Sequence, residues 1–419
     1  MNPSNLSKIP LPPKAGAAPV GSLKTGSRRN THAGVLHLCA DLHYGDPARE
    51  TVTLAVLTQR LGWRAMIASS GGVLVTEAER AAVKHVRMPL HRHGMFANWR
   101  NRVQLESFVQ RERPALVHVH GIDPVEMGCR LGLQHRIPLV IDLTQPLPDT
   151  PATHRLIAQI TQTSCTVRVP TRMMGKHLIS TFQINPAIIA CLGPGVDLQT
   201  HNAAAISAER LHNLNRLWRL PEQAIVALVP MPLEPNMGHA TFLQALAQIK
   251  EENIYAIMVG SDRHAPGLRA ELERQVDSLG LNGKVIMPET CADWAAAFWL
   301  ANVVVAPNSA PRGQNTEILG AQALGRPVII TATGANEEMV LKNETAWVLP
   351  PDNPMAMAKA LREATHLNTD QRVNLAENTR YFIEEQFPQA NWFNGMMELY
   401  EKLIYPQRSG ASLPVAKVA

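Results

Sequence analysis

Short apolar runs alternate with amphipathic stretches along most of the chain. The run at 35–39 suits a buried parallel strand, the pattern at 51–61 fits a helix, and a second apolar run follows at 64–68. Strand, helix and strand within about 35 residues are typical of a βαβ unit. The alternation predicts further strands of this first series at 115–119, 139–143, 167–169 and 188–192.

A second series begins after a polar, helix-prone stretch at 202–222, which we interpret as an interdomain connection. Its strands are predicted at 225–229, 256–259, 284–287, 303–306, 327–331 and 347–349. Its helices are predicted at 240–249, 268–279, 295–301, 317–324, 355–364 and, as one long helix, 371–403. Two such series predict an α/β protein with two doubly wound, Rossmann-like domains that face a cleft.

The expected organisation follows from these series and from the composition of the ends. The ends lack periodicity, and the last helix is expected to cross back to the first domain. We expect a disordered tail (1–33), an N-terminal domain (34–200), a linker (201–223), a C-terminal domain (224–383), a closing helix (384–405) and a flexible tail (406–419).

Composition excludes several classes of protein. A chain of 419 residues is too long for one core, and a net charge of +5 is small for a nucleic-acid binder. The five scattered cysteines have no zinc or redox spacing, and their odd number argues against a disulfide framework. Neither a metal nor a cofactor is expected. Because no apolar run could cross a bilayer or act as a secretory signal, we expect a cytoplasmic location.

Glycine turns follow many of the predicted strands, whereas common catalytic motifs are missing. No G-x-G-x-x-G, P-loop, H-E-x-x-H or G-x-S-x-G occurs, which argues against dinucleotide dehydrogenases, P-loop NTPases, zincins and the usual esterases. Glycine lets a backbone approach a ligand closely, and N–H groups at a helix start attract phosphate. Each turn alone is routine in α/β folds, but their order along the chain is informative.

That order resembles glycosyltransferase family 4, from about residue 35 to residue 403. P-A-L-V-H-V-H-G at 114–121 is similar to the family's P-D-x-V-H-x-H strand, and G-V-D-L at 195–198 to its G-V-D turn. Most specific is G-A-Q-A-L-G-R-P-V-I at 320–329 with T-G-A-N-E-E at 333–338, which resembles E-A-Q-A-x-G-x-P-V-I…G-x-x-E-x-V. The resemblance implies a GT-B fold and retaining transfer from a nucleotide sugar to a saccharide or lipid-linked acceptor of the cell envelope.

Positions that hold the donor in this family are substituted. Its G-R-L-x-x-x-K-G loop, whose Arg and Lys bind the diphosphate, reads M-P-L-E-P-N-M-G at 231–238, so Pro232 and Met237 replace both cations. Losing one preorganised donor of this kind costs about 10²–10³ in rate. The remaining substitutions affect the E-x₇-E pair, the Glu of G-G-x-E-R and the His after the fourth strand, which fall on Arg312 and Gly320, Ala48 and Thr144.

Two residues are candidates to replace the lost groups. Arg312 could supply a cation for phosphate, the alternative being a charge on the rim of the site. Glu317 lies one helical turn before Gly320 and could bring a carboxylate to a neighbouring position. By resemblance, the expected donor- or phosphate-binding residues are Gly45, Gly238, Arg312, Gly313, Gln314, Asn315, Thr316 and Glu317.

Two histidines lie at the end of the 115–119 strand. We interpret His118 and His120 as alternating, so that only one faces the cleft, and take His120, beside Gly121, as the candidate catalytic residue. A structural role for that histidine is the alternative.

The segment 91–102, H-R-H-G-M-F-A-N-W-R-N-R, mixes cations with aromatic residues. Such a segment could bind an anionic membrane surface at about 1 kcal/mol per cation, which would place the protein peripherally at the inner face of the membrane. An ordinary basic helix with a buried aromatic side is the alternative.

Two functions therefore compete. The first is an active glycosyltransferase of polysaccharide or glycolipid synthesis, favoured by the retained glycine turns. The second is a catalytically degenerate GT-B protein that acts as a binding or scaffold partner of an active transferase. It is favoured by the combined loss of the family residues at five positions: Ala48, Pro232, Met237, Arg312 and Gly320.

Overall fold

The first half of the chain forms a seven-stranded parallel sheet, in a computed structural model that describes residues 33–43, 45–90 and 95–406. Its strands are β1 (Gly34–Cys39), β2 (Arg64–Ser69), β3 (Lys84–Arg87), β4 (Leu116–His120), β5 (Leu139–Asp142), β6 (Cys165–Val169) and β7 (Ile189–Cys191). Its helices are α1 (Asp46–Arg60), α2 (Val75–Arg80), α3 (Met95–Glu112), α4 (Val125–His135), α5 (Pro151–Thr161) and α6 (Arg172–Phe182). The strand order is β3-β2-β1-β4-β5-β6-β7.

The second half repeats this plan with six parallel strands in the order β10-β9-β8-β11-β12-β13. These are β8 (Ile225–Val229), β9 (Ile254–Met258), β10 (Val285–Ile286), β11 (Val303–Ala306), β12 (Val328–Thr331) and β13 (Ala346–Leu349). The helices from the linker onward are α7 (Ala208–Leu217), α8 (His239–Ala247), α9 (Leu268–Ser278), α10 (Trp294–Leu300), α11 (Thr316–Ala323), α12 (Pro354–Thr365), α13 (Thr369–Gln386) and α14 (Gln389–Ile404).

Helices cover both faces of each sheet, which explains why the strands are almost uniformly apolar. Every residue of β1 and of β11 is buried, as expected for parallel strands between two helical layers. Strand order reverses between β1 and β4 in the first sheet and between β8 and β11 in the second. The prediction of two doubly wound, Rossmann-like domains is confirmed, and these reversals mark where ligands bind such sheets.

The last helix belongs to the first sheet, as predicted. Trp392, Phe393 and Tyr400 of α14 pack in one buried cluster with Val35 of β1 and Leu116 of β4. The prediction of one unbroken helix at 371–403 is wrong, because α13 ends at Gln386 and α14 begins at Gln389.

Proline causes this break. Pro388 has no N–H to donate to a helical hydrogen bond, and it instead pairs with Val196 in an isolated bridge. The chain therefore turns at the point where it returns to the first sheet.

The linker is part of the second core. Leu214 of α7 and Trp218 just after it are buried against the apolar interior of the second sheet. None of the helices within the described ranges is both long and apolar enough to span a membrane. The predicted tails at 1–33 and 406–419 lie outside those ranges except for Ala33 and Pro406.

Candidate functional site

The loop between β11 and α11 meets the first sheet. A methyl group on Gly313 would overlap the carbonyl group of Thr144, which lies just beyond β5. Glycine is therefore required at Gly313 by the close approach of two backbones. We call residues 312–315 the seam loop, and the surface where it meets Thr144 the seam.

The seam loop contains several buried polar atoms without hydrogen-bond partners. Gln314 and Asn315 are at most 1% exposed, and both polar side-chain atoms of each have no hydrogen-bond partner among the described residues. Burying an amide in this state costs roughly 1–3 kcal/mol. Such groups indicate a place that a ligand or ordered water completes.

Arg312 is the cation of the seam loop. The side chain is half-buried, and its Nη1 is buried with no hydrogen-bond partner in the described part of the chain. Its role as a phosphate contact stays a prediction. Burial lowers the pKa of His239 to about 4; a hydrogen bond to the Met231 backbone opposes this shift and the nearby charge of Arg312 adds to it. Because His239 opens α8, Arg312 lies near the start of that helix.

The loop after β8 and the loop after β11 touch each other. Gly238 has a left-handed φ of 73°, and a methyl group there would overlap the Pro307 carbonyl. The backbone N–H of Ser309 donates to the carbonyl of Asn236 at 2.9 Å. The structure thus brings Gly238 and the seam loop onto one surface at the carboxyl ends of the central strands.

The remaining residues expected to bind the donor lie at the starts of two helices, α11 and α1. Asn315 precedes α11 at the capping position, but its side chain accepts no capping hydrogen bond, and Thr316 and Glu317 form the first turn. Gly45 precedes α1 with a φ of 126° and with open space around it. Gly45 therefore lies at a helix start in the first half, where no described side chain crowds it.

Three of the substituted family positions pack against neighbouring residues. Ala48 is 5% exposed within an apolar cluster, and Met237 packs against the second core. A side chain on Gly320 would overlap the rings of Phe298 and His201. Since neighbours fill the space around Gly320, an acidic side chain does not fit there without rearrangement.

Glu338 joins the two halves. Its carboxylate oxygens accept hydrogen bonds from the backbone N–H groups of Arg172 and Met173, at 2.9 and 2.7 Å, in the first turn of α6. A carboxylate at a helix N-terminus is stabilised by the free N–H groups and the helix dipole. Sequence reasoning missed this role, because the capped helix belongs to the other half of the chain.

A second polar group lies inside the first sheet. His37 is the register partner of His118 on the neighbouring strand, and His120 follows two positions later. Side chains two positions apart on a strand share a face, and the rings of His118 and His120 have centroids 3.9 Å apart. The expectation that only one of these two faces the cleft is wrong, because faces alternate with every residue and not with every second one.

Charged groups surround these rings. Asp142 lies 3.0 Å from His118 Nε2 and 3.2 Å from His120 Nδ1. Arg168 lies 3.3 Å from Asp142 and 2.8 Å from Glu50. Tyr400 of α14 lies 2.6 Å from His118 Nδ1. We call these seven residues the histidine cluster: His37, Glu50, His118, His120, Asp142, Arg168 and Tyr400.

The histidine cluster is sealed. His120 is 2% exposed, Asp142 and Arg168 are each 1% exposed, and helix α14 covers this face of the sheet. Burial raises the pKa of Asp142, but the charges of His118 and Arg168 outweigh it and hold that pKa well below its usual range. Sequence reasoning missed Asp142 and Arg168, although an acid and a base within apolar strands were a usable signal.

The segment 91–102 is described only in part. Residues 91–94 lie outside the described ranges, and helix α3 begins at Met95. Asn101 donates to the Pro89 carbonyl at 2.9 Å, and Arg102 pairs with Glu106 at 2.9 Å. Contact of this segment with a membrane stays a prediction.

Two Rossmann-like halves that meet at the carboxyl ends of their strands define a GT-B fold, the architecture of many sugar transferases. Two family models match side by side: "Glycosyltransferase Family 4" over residues 48–200 and "Glycosyl transferases group 1" over residues 223–366. The chain belongs to glycosyltransferase family 4.

Solved structures and curated relatives agree with this family. A glycosyltransferase from Rickettsia africae is 19% identical with a TM-score of 0.78, and the match covers 89% of this chain and 99% of that one. Anabaena HepE in complex with UDP-glucose is 17% identical with a TM-score of 0.78, covering 88% and 100%. The D-inositol 3-phosphate glycosyltransferase of Corynebacterium urealyticum is 25% identical over 232 residues, 53% of each chain. The chain thus spans about half the length of that relative.

Proposed function

We propose that the protein is an active glycosyltransferase that binds a nucleoside-diphosphate sugar at the seam. One observation carries the proposal: the seam loop buries the amides of Gln314 and Asn315 without partners. A bound donor would supply hydrogen-bonding groups to these amides and so offset the cost of burying them. That the structural neighbour HepE was solved with UDP-glucose supports a donor of this class.

Arg312 is proposed to bind the diphosphate. From the loop after β11, Arg312 would supply the positive charge that Pro232 and Met237, in the neighbouring loop after β8, do not provide. Its guanidinium lies near His239 at the start of α8, where backbone N–H groups favour an anion. As the sugar leaves, negative charge grows on the diphosphate, and a positioned cation lowers the barrier.

The finer assignments rest on family resemblance. Transfer is proposed to retain the anomeric configuration, and the acceptor is proposed to be a saccharide or lipid-linked sugar of envelope polysaccharide or glycolipid synthesis. The acceptor would approach from the first half, beyond Thr144, and closure of the two halves would exclude water.

Calorimetry with UDP, GDP and common sugar nucleotides tests the proposal. Arg312→Gln should weaken binding by roughly 10- to 100-fold, which corresponds to about 1.5–3 kcal/mol for a charge-assisted hydrogen bond. The exposed Arg263, in the neighbouring loop after β9, provides the control: Arg263→Gln should leave affinity unchanged. Equal losses in both variants, or no binding by the wild-type chain at millimolar nucleotide, would refute the proposal.

A degenerate binding protein is the second candidate, and the packed positions Ala48, Met237 and Gly320 favour it. The double variant Pro232→Arg, Met237→Lys separates the two. If Arg312 has taken over the binding of the diphosphate, the double variant should bind the donor no better than wild type. If only the double variant binds nucleotide, the natural chain has lost its diphosphate-binding cations without replacement, and the second candidate is correct.

A further inference from the structure

Three imidazoles come together on one face of the first sheet. His37, His118 and His120 each offer one ring nitrogen, and these three nitrogens lie within 4.8 Å of one another. Two of the histidines are spaced H-x-H on β4, and the third comes from the adjacent position on β1. All three are at most 2% exposed. The arrangement is therefore fixed by strand register and not by mobile loops.

Ordinary hydrogen bonds leave one nitrogen of each ring unused. His37 Nδ1 lies 3.0 Å from His120 Nε2, and His118 Nδ1 lies 2.6 Å from the Tyr400 hydroxyl. The other ring nitrogens are buried and form no hydrogen bond of acceptable geometry within the described chain. His118 Nε2 and His120 Nδ1 form ion-pair contacts with Asp142 at 3.0 and 3.2 Å, whereas His37 Nε2 has no partner among the described residues. A partner that reaches His37 as well as the other two rings would complete this buried group.

The charge around the rings favours a cation as that partner. Asp142 and Glu50 both contact Arg168, so two carboxylates face a single guanidinium. A buried excess of negative charge is costly unless a cation compensates it. Neutral rings that donate from His118 Nε2 and His120 Nδ1 to Asp142 would still leave His37 Nε2 without a partner. A metal ion bound through one nitrogen of each ring would engage all three rings.

We propose that His37, His118 and His120 bind a divalent transition-metal ion, with Asp142 as the fourth ligand. Zinc fits this donor set, because it takes imidazole and carboxylate ligands in tetrahedral geometry at about 2.0–2.2 Å. Such bonds place neighbouring ligand atoms roughly 3.4 Å apart, and Asp142 already lies 3.0 and 3.2 Å from two of the rings.

The proposed site is structural. Four protein ligands leave no open position for a substrate or a reactive water, which distinguishes structural from catalytic zinc sites. Ligands from β1, β4 and β5 would tie three adjacent strands together. Tyr400, bonded to His118, would hold α14 against the ligands as an outer partner. The proposal does not rest on nucleotide binding at the seam.

Metal analysis of the purified full-length chain tests this proposal. After growth in zinc-supplemented medium and dialysis against metal-free buffer, inductively coupled plasma mass spectrometry should find close to one zinc per chain. The double variant His118→Gln, His120→Gln should lose that zinc. His177→Gln is the control, since His177 is a partly buried histidine of the same half with its own bond to the Leu147 carbonyl, and it should keep the zinc.

A second measurement does not depend on any variant folding. Wild-type chain exchanged with Co²⁺ should show the visible absorption bands of tetrahedral cobalt bound to nitrogen. Folded wild-type protein without stoichiometric metal and without these bands would overturn the proposal, and the cluster would then be a protonated hydrogen-bond network. Zinc retained by a folded double variant would overturn it equally.

Discussion

The two halves of the molecule share a fold but keep their buried polar groups in different places. In the second half the central strands are apolar, and the polar side chains, such as Asn308, Gln314 and Asn315, come in the loops beyond them. In the first half His37, His118, His120, Asp142 and Arg168 lie within the strands. The polar groups of the second half lie near the place where the two halves meet, and those of the first half are closed beneath α14.

The two locations suggest different roles, ligand binding for the polar groups in the loops and stability for those within the strands. Polar groups at the ends of parallel strands lie where ligands bind in doubly wound folds. The polar groups within the strands of the first half are buried beneath α14, so we expect them to act on stability and on the placement of α14. We therefore expect changes in the histidine cluster to alter mainly the free energy of unfolding, and changes at the seam to alter mainly ligand binding.

The largest expected effect is in the histidine cluster. Arg168→Met leaves the carboxylates of Asp142 and Glu50 buried without their cation, which should lower the free energy of unfolding by about 3–5 kcal/mol. Urea denaturation followed by circular dichroism measures this loss. A loss below about 1 kcal/mol would contradict the view that these charges are coupled and buried.

A smaller, pH-dependent effect is expected from His239. Its pKa is about 4 in the folded protein, where burial opposes protonation and Arg312 is the cation that faces it. Because this value lies below the usual 6.5, the neutral ring's contribution to stability is complete above pH 6.5 and is lost as pH falls toward 4. His239→Gln should therefore reduce the drop in unfolding free energy between pH 7 and pH 5 by roughly 2 kcal/mol. An unchanged drop would show that His239 is not buried as a neutral ring.

At the seam, removing an unsatisfied amide should stabilise the empty protein. Gln314→Met keeps the length of the side chain but removes both unpartnered polar atoms, and should raise the unfolding free energy by about 1–2 kcal/mol. The same variant should lose most of the rise in Tm that a bound sugar nucleotide produces. A destabilised variant that keeps this rise would mean that Gln314 serves the fold and not the ligand.

The smallest expected effect is at a partly exposed ion pair. Arg210 and Asp293 lie 2.7 Å apart in the second half, and each side chain is about one-third exposed, at 34% and 33%. Arg210→Met should cost only about 0.2–1 kcal/mol, because solvent screens the pair. Comparison with Arg168→Met in the same urea experiment measures how much burial increases the contribution of an ion pair to the free energy of unfolding. Similar losses of unfolding free energy in the two variants would contradict the proposed difference between the buried and the exposed pair.

The sequence was sufficient for the buried strands of both sheets, because buried parallel strands appear as apolar runs. The edge strand β3 (Lys84–Arg87) was missed, since its sequence, with a cation at each end, gives no such run. The histidine cluster depends on register between strands far apart in sequence, such as His37 with His118, and a single sequence does not reveal register. The contact of Gly313 with Thr144 and the capping of α6 by Glu338 require the relative placement of the two halves, which local patterns do not contain.

The return of α14 to the first sheet has a consequence for biosynthesis. The ribosome releases the strands of the first half early, but Trp392, Phe393 and Tyr400, which complete their apolar covering, emerge only near the end of translation. Most multidomain chains can finish folding their N-terminal unit while the remainder is being made. Here the last segment of the chain completes the apolar covering of the first sheet, so a premature stop codon before Gln389 would leave the interior of the first half unfinished.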